Sequence, residues 1–170
     1  MTKVLVIMGS DSDMPVVKGA VDILRQLEIE TEVHISSAHR AAGKTEELAR
    51  NAANNDVGVI IAAAGGAAHL AGVIAAQTPL PVIALPIQSG ALSGVDALYA
   101  MVQMPSGIPC ATVAIDGAKN AGLLAAQILG VADRAIMQKI IDYKENMRLG
   151  VEKKDAKLQE LGVDAYLAQK

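Results

Sequence analysis

Apolar residues fall in short unbroken blocks, separated by small and polar residues. Val4-Leu5-Val6-Ile7-Met8 shows no polar–apolar alternation, which predicts a parallel strand covered on both faces. Residues 9–13 break the block. Over residues 14–27 apolar side chains recur at helical spacing, with Val17, Ala20, Val21 and Leu24 on one face. Asp13 stands where a helix cap is expected, and Pro15 suits the first turn. Residues 32–36 predict a second strand, less apolar and nearer an edge. A loop at 37–40 leads to a helix ending near residue 54. Residues 57–64, rich in Val and Ile, predict a strand at the sheet centre. Gly65-Gly66 then turn the chain into a helix over 68–77. Residues 81–85 form a fourth strand that Pro86 closes, and a loop at 87–92 precedes a helix over 94–103. A fifth strand is predicted at 109–115, and a strongly apolar helix at 120–129. Asp133 can cap a last long helix with a stripe of Ile136, Ile140, Tyr143 and Met147. The charged tail beyond Gly150 keeps Leu158, Leu161 and Tyr166.

Strands that alternate with helices across short loops predict an α/β fold with a doubly wound parallel sheet. The 170 residues make one domain, residues 1–170, in which about 133–170 form a helical C-terminal extension. The stretch 57–76 nears membrane-span length with His69 as its only strongly polar residue. It is mostly Ala and Gly, with two glycines at its middle, and reads as a buried strand, turn and helix. The expectation is a cytoplasmic protein with no membrane partner.

Composition narrows the chemistry. Aromatic residues are 2% of the chain, with no Phe or Trp, so no aromatic platform for stacking bases exists. Net charge is −3 and no basic stripe offers a nucleic-acid surface. The single Cys110 excludes an internal disulfide framework and a thiolate zinc cluster.

In doubly wound sheets ligands bind beyond the carboxyl ends of the strands, so the loops after the strands carry the candidate site. The first is G-S-D-S-D: small hydroxyl residues and amides at a helix start suit an anion, whereas Asp13 can instead accept from sugar hydroxyls. It matches neither a dinucleotide fingerprint nor a phosphate-binding Walker loop. The second, S-S-A-H-R, joins a proton carrier, His39, to a fixed cation, Arg40. His34 lies within the strand pattern and reads as structural. The third, A-G-G-A-A-H-L, lets a ligand touch backbone at the paired glycines, and puts His69 one turn into the following helix. The fourth carries Ser89 and Ser93 among glycines and reads as a lid, a phosphate contact or a plain helix approach. His39 and His69 lack Cys or carboxylate partners at metal-ligand spacing, and no G-x-S-x-G elbow is present.

Together these strings resemble one family. V-I-M-G-S-D-S-D, S-A-H-R, A-G-G-A-A-H-L, P-V-I-A-L-P-I-Q-S-G-A-L-S-G-V-D, V-Q-M-P-S-G-I-P-C-A-T-V-A-I and N-A-G-L-L-A-A-Q-I-L occur in the order found in the PurE family. These are the N5-carboxyaminoimidazole ribonucleotide mutases of purine synthesis. The resemblance spans about residues 4–130. It implies a three-layer α/β/α, flavodoxin-like fold and a homo-octamer. It also implies transfer of a carboxyl group from N5 to C4 of an imidazole ribonucleotide, without cofactor or metal. Carried over, Ser10, Asp13 and Arg40 hold the ribose phosphate part, with Ser12 and Ser37 beside them. His39 carries the proton, and His69 with the backbone of Gly65, Gly66 and Ala67 surrounds the carboxylate.

The chemistry suits these residues. A carbamate loses CO₂ once its nitrogen is protonated, and a tight Gly/Ala pocket can retain CO₂ until C4 attacks it. One His titrating near neutrality can give the first proton and take back the second. The chain departs from the family at Ala41-Ala42, where Thr-Pro is usual, at Ala71, where Pro is usual, and in a shortened segment at 116–120. A branch that carboxylates the ribonucleotide directly with CO₂ usually carries S-A-H-K, so Arg40 points to the mutase branch. Direct carboxylation is the alternative enzyme reading, and a non-catalytic nucleotide-binding module is the alternative of another class.

Overall fold

Both faces of the apolar blocks are used. In the computed structural model, which describes residues 2–169, strand β1 (Lys3–Met8) sends Val4, Val6 and Met8 into one core, and Leu5 and Ile7 into another. Strand β3 (Val57–Gly65) divides in the same way. Full burial of one Val, Leu or Ile contributes about 1.5–3 kcal/mol, so two-sided strands dominate the sheet's stability. β2 (Thr31–Ile35), β4 (Val82–Ile87) and β5 (Ala111–Thr112) complete a five-stranded parallel sheet of order β2-β1-β3-β4-β5. β3 is central and β2 an edge, as the pattern predicted.

Helices cover both faces. The first core packs against α1 (Met14–Gln26), α5 (Ala118–Gly130) and the start of α6 (Arg134–Leu167). The second packs against α2 (Ala42–Asn51), α3 (Leu70–Ala75) and α4 (Val95–Val102). A Cβ on Gly122 of α5 would stand 2.9 Å from the Ala20 carbonyl oxygen of α1, so the close approach of these helices needs glycine there. Asp133 caps α6 as predicted, accepting from the amides of Ala135 and Ile136. Ile136, Ile140 and Tyr143 reach the first core, whereas Met147 is exposed. Gly162 breaks helical geometry near the end of α6. Among the described residues no helix is long and apolar enough to cross a membrane.

Four expectations are corrected. Pro86 lies inside β4 rather than closing it. Its carbonyl accepts from Asp116 on the β5 side, beyond the two paired residues of β5, where no partner needs the amide that proline lacks. β5 itself is far shorter than 109–115. α3 begins two residues late, because tight turns from Ala68 N–H to Gly66 O and from His69 N–H to Ala67 O occupy the segment before it. Finally, Asp13 sits at the start of α1 but its side chain does not cap that helix.

Candidate active site

The loops after β1, β2, β3 and β4 converge on one cleft of about 350 Å³ at the carboxyl edge of the sheet. In the first loop Ser10 caps a one-turn 3-10 helix, Asp11–Asp13. Its Oγ accepts the Ser12 amide at 3.3 Å, and Asp13 Oδ2 accepts the Ser10 amide at 3.2 Å. Ser12 Oγ donates to Asp13 Oδ1 at 3.4 Å. Asp13 is 7% exposed, and that burial raises its carboxyl pKa above the usual range. The two hydrogen bonds oppose the shift, and the nearby Asp11 charge adds to it.

The second loop is pinned from below. Thr45 of α2 donates to the Ala41 carbonyl at 3.2 Å, and Ser36 bonds Thr45 Oγ1 at 2.8 Å in a buried pair. Ala41, at the helix cap position, provides no side-chain cap. Above this anchor Arg40 folds back over the first loop. Its Nη2 donates to Gly9 O at 3.3 Å and its Nε to Ser37 Oγ at 3.5 Å. Among the described residues the guanidinium has no carboxylate partner, so a fixed, unpaired cation stands at the cleft.

His39 and His69 meet across two loops. Nε2 of His39 lies 2.8 Å from Nδ1 of His69, with the rings edge to face at a 5.0 Å centroid distance. The sequence pattern set His69 one turn into its helix. It instead occupies the cap position of α3, and from there its ring reaches the second loop. The amides of Ala68 and His69 are spent in the tight turns, so they are not the free donors expected of a helix start.

Ala64, Gly65, Ala67 and Leu70 supply a small-residue wall from the third loop. Of the expected site residues Ser10, Ser12, Asp13, Ser37, His39, Arg40, Gly65 and Ala67 line the cleft. Gly66 does not line it; at φ +59° it makes the turn instead. His69 lies outside the lining and is joined to it through its hydrogen bond with His39. Gly9 and Ser89 line the cleft beyond that set, and Ser89 is the one serine of the fourth loop to do so. His34 bonds Glu32 at 2.7 Å on the edge strand, away from the cleft, as its place in the strand pattern suggested. Among the described residues no three His, Cys, Asp or Glu side chains gather as metal ligands.

A polar floor, an unpaired cation, a paired imidazole and a small-residue wall suit an anionic, sugar-bearing substrate and a proton transfer. The sequence signature described as AIR carboxylase matches residues 3–149. The N5-carboxyaminoimidazole ribonucleotide mutase of Thermotoga maritima is 50% identical over 170 residues, which is 100% of this chain and 99% of that protein. The mutase of Pyrococcus horikoshii is 52% identical over 164 residues, 96% of this chain and 93% of that one. The crystal structure of Treponema denticola PurE superposes with a TM-score of 0.84 at 31% identity, covering 93% of this chain and 99% of the other. A shared fold, near-complete coverage and half-identical sequence agree: the chain belongs to the AIR carboxylase family.

Proposed function

We propose that this protein is an N5-carboxyaminoimidazole ribonucleotide mutase, a cytoplasmic isomerase that moves a carboxyl group from N5 to C4. The observation that carries the reading is the meeting of His39, the unpaired Arg40 guanidinium and the Ala64–Ala67 wall in one cleft. In this reading Arg40 and Ser10 bind the phosphate end, Asp13 accepts from ribose hydroxyls, and Ser12 and Ser37 hold the loops in shape. The imidazole ring then lies between His39 and the wall.

The reaction needs one proton, used twice. His39 gives a proton to N5, the N5–carboxyl bond breaks, and CO₂ and the free amine form. The electron-rich C4 attacks CO₂, making the C4–carboxyl bond. C4 then carries a surplus proton, which returns to His39 as the ring regains aromaticity. Proton count and charge balance without any other reagent. His69 orients the imidazole of His39 and offers it a hydrogen-bond partner in either protonation state. The Ala and Gly wall excludes water, so CO₂ stays beside C4.

Purified protein given the N5-carboxy compound should form 4-carboxy-5-aminoimidazole ribonucleotide. Turnover of aminoimidazole ribonucleotide with bicarbonate, and none of the N5-carboxy compound, would transfer the assignment to a direct carboxylase. No turnover of either would reduce the cleft to a binding site.

The proposal includes a homo-octamer. Its support is a set of exposed apolar side chains: Val95, Tyr99 and Val102 on one face of α4, and Met147 and Val151 one turn apart on α6. Such clusters on a soluble protein mark contact surfaces. Apolar α5, by contrast, is covered within its own chain by α1 and α6, so it supplies no argument for assembly.

A further inference from the structure

The cleft holds four serines, and three are hydrogen-bonded inside their own loops. Ser10 Oγ accepts the Ser12 amide, Ser12 Oγ donates to Asp13, and Ser37 Oγ accepts twice from Arg40. The fourth, Ser89, lines the cleft from the β4 loop, and its hydroxyl makes no hydrogen bond among the described residues. It is nevertheless held in place. The neighbouring Gln88 amide donates to Asp116 Oδ1 at 2.9 Å, and the Asp116 amide donates to Pro86 O at 2.9 Å, so the β4 loop is tied to the β5 loop. Gly65 has no side chain where Ser89 sits: a Cβ there would lie 2.6 Å from Ser89 Oγ and 3.1 Å from the Ile87 carbonyl oxygen. A fixed, unspent donor therefore faces the small-residue wall.

We infer that Ser89 Oγ donates a hydrogen bond to the carboxylate oxygen of the substrate as it lies against Gly65 and Ala67. The inference rests on the mutase reading, and it assigns this hydroxyl to the migrating group rather than to the phosphate. Arg40 and Ser10 stand across the cleft on the β1 and β2 loops. Ser89 is the contribution of β4, two strands from β1, and abuts the wall that faces the reacting ring. A neutral donor suits the task. It steadies a carboxylate, and it does not hold the CO₂ intermediate as strongly as a cation would hold an anion.

The test compares two ligands, one with the carboxylate and one without. Ser89→Ala should bind aminoimidazole ribonucleotide as wild type does. It should bind the 4-carboxy ribonucleotide about 10- to 100-fold more weakly, the range for a lost hydrogen bond to a charged group. Turnover of the N5-carboxy compound should fall with the second affinity, not the first. Gly65→Ala, which displaces Ser89 while leaving its hydroxyl in the chain, should show the same selective loss. An unchanged ratio of the two affinities in Ser89→Ala overturns the inference, and so does equal weakening of both ligands. Failure of the wild-type protein to convert the N5-carboxy compound would count against the mutase reading itself, which separates the two failures.

Discussion

His39 Nε2 stands 2.8 Å from His69 Nδ1, a hydrogen bond between residues thirty positions apart that ties the β2 loop to the β3 loop. One of the two nitrogens must donate, so the pair holds a proton between two rings. If His39 is the proton carrier, His39→Asn should fold, keep ribonucleotide affinity and lose about 10²–10⁴-fold in turnover. Near-wild-type rates would remove His39 from the chemistry. His69→Asn should lose less, and the double variant should lose less than the product of the single effects, because contacting residues couple.

Arg40 should act on binding. Its guanidinium is positioned by Gly9 O and Ser37 Oγ and, among the described residues, has no carboxylate partner, so its charge is free to meet a phosphate. Arg40→Ala should weaken ribonucleotide binding by about 10- to 100-fold, measured calorimetrically, with a smaller change in kcat. Unchanged binding with a slowed chemical step would reverse that role.

How much of this was legible in the residue order follows from local physics. β1 and β3 were readable because residues 4–8 and 57–65 form unbroken runs without a polar side chain, and the structure buries alternate side chains in opposite cores. The polar loops after those strands were readable because a parallel sheet gathers its carboxyl ends. The reach of His69 was not readable. It depends on two tight turns at Gly66 and Ala67 that delay α3, and no local pattern distinguishes these from a first helical turn. Pro86 misled because its missing amide matters only toward β5, and the length of β5 is set by tertiary pairing. Ser89 reaches the cleft only because Gly65, from another strand, leaves it room.

In its proposed role Asp13 trades stability for substrate binding. Burial is the main cause of its raised pKa, so the folded state holds the Asp13 proton more tightly than the unfolded state does. The stabilisation from that proton is complete below the ordinary carboxylate range and is lost as pH rises through the raised value. Above that raised value the buried carboxylate is a burden. Asp13→Asn should therefore raise Tm at pH 7, with the advantage shrinking on acidification, while ribonucleotide affinity falls. A lower Tm at pH 7 would show that the hydrogen bonds from Ser10 and Ser12 outweigh burial.

Assembly can be read from mass. Light scattering at micromolar concentration should give about eight times 17.6 kDa. Truncation after Gly150 removes the exposed end of α6, including Val151, Val163 and Leu167, and should loosen the assembly. A monomer mass for the full chain would leave the α4 face without a purpose, and an intact octamer after truncation would show that this part of α6 is dispensable.

In the proposed reaction the carboxyl group crosses from N5 to C4 without leaving the cleft. The direct measurement uses N5-carboxyaminoimidazole ribonucleotide labelled with carbon-13 in its carboxyl group, turned over in excess unlabelled bicarbonate. The label should be retained at the C4 carboxylate of the product. Product carrying carbon from the unlabelled pool would contradict it.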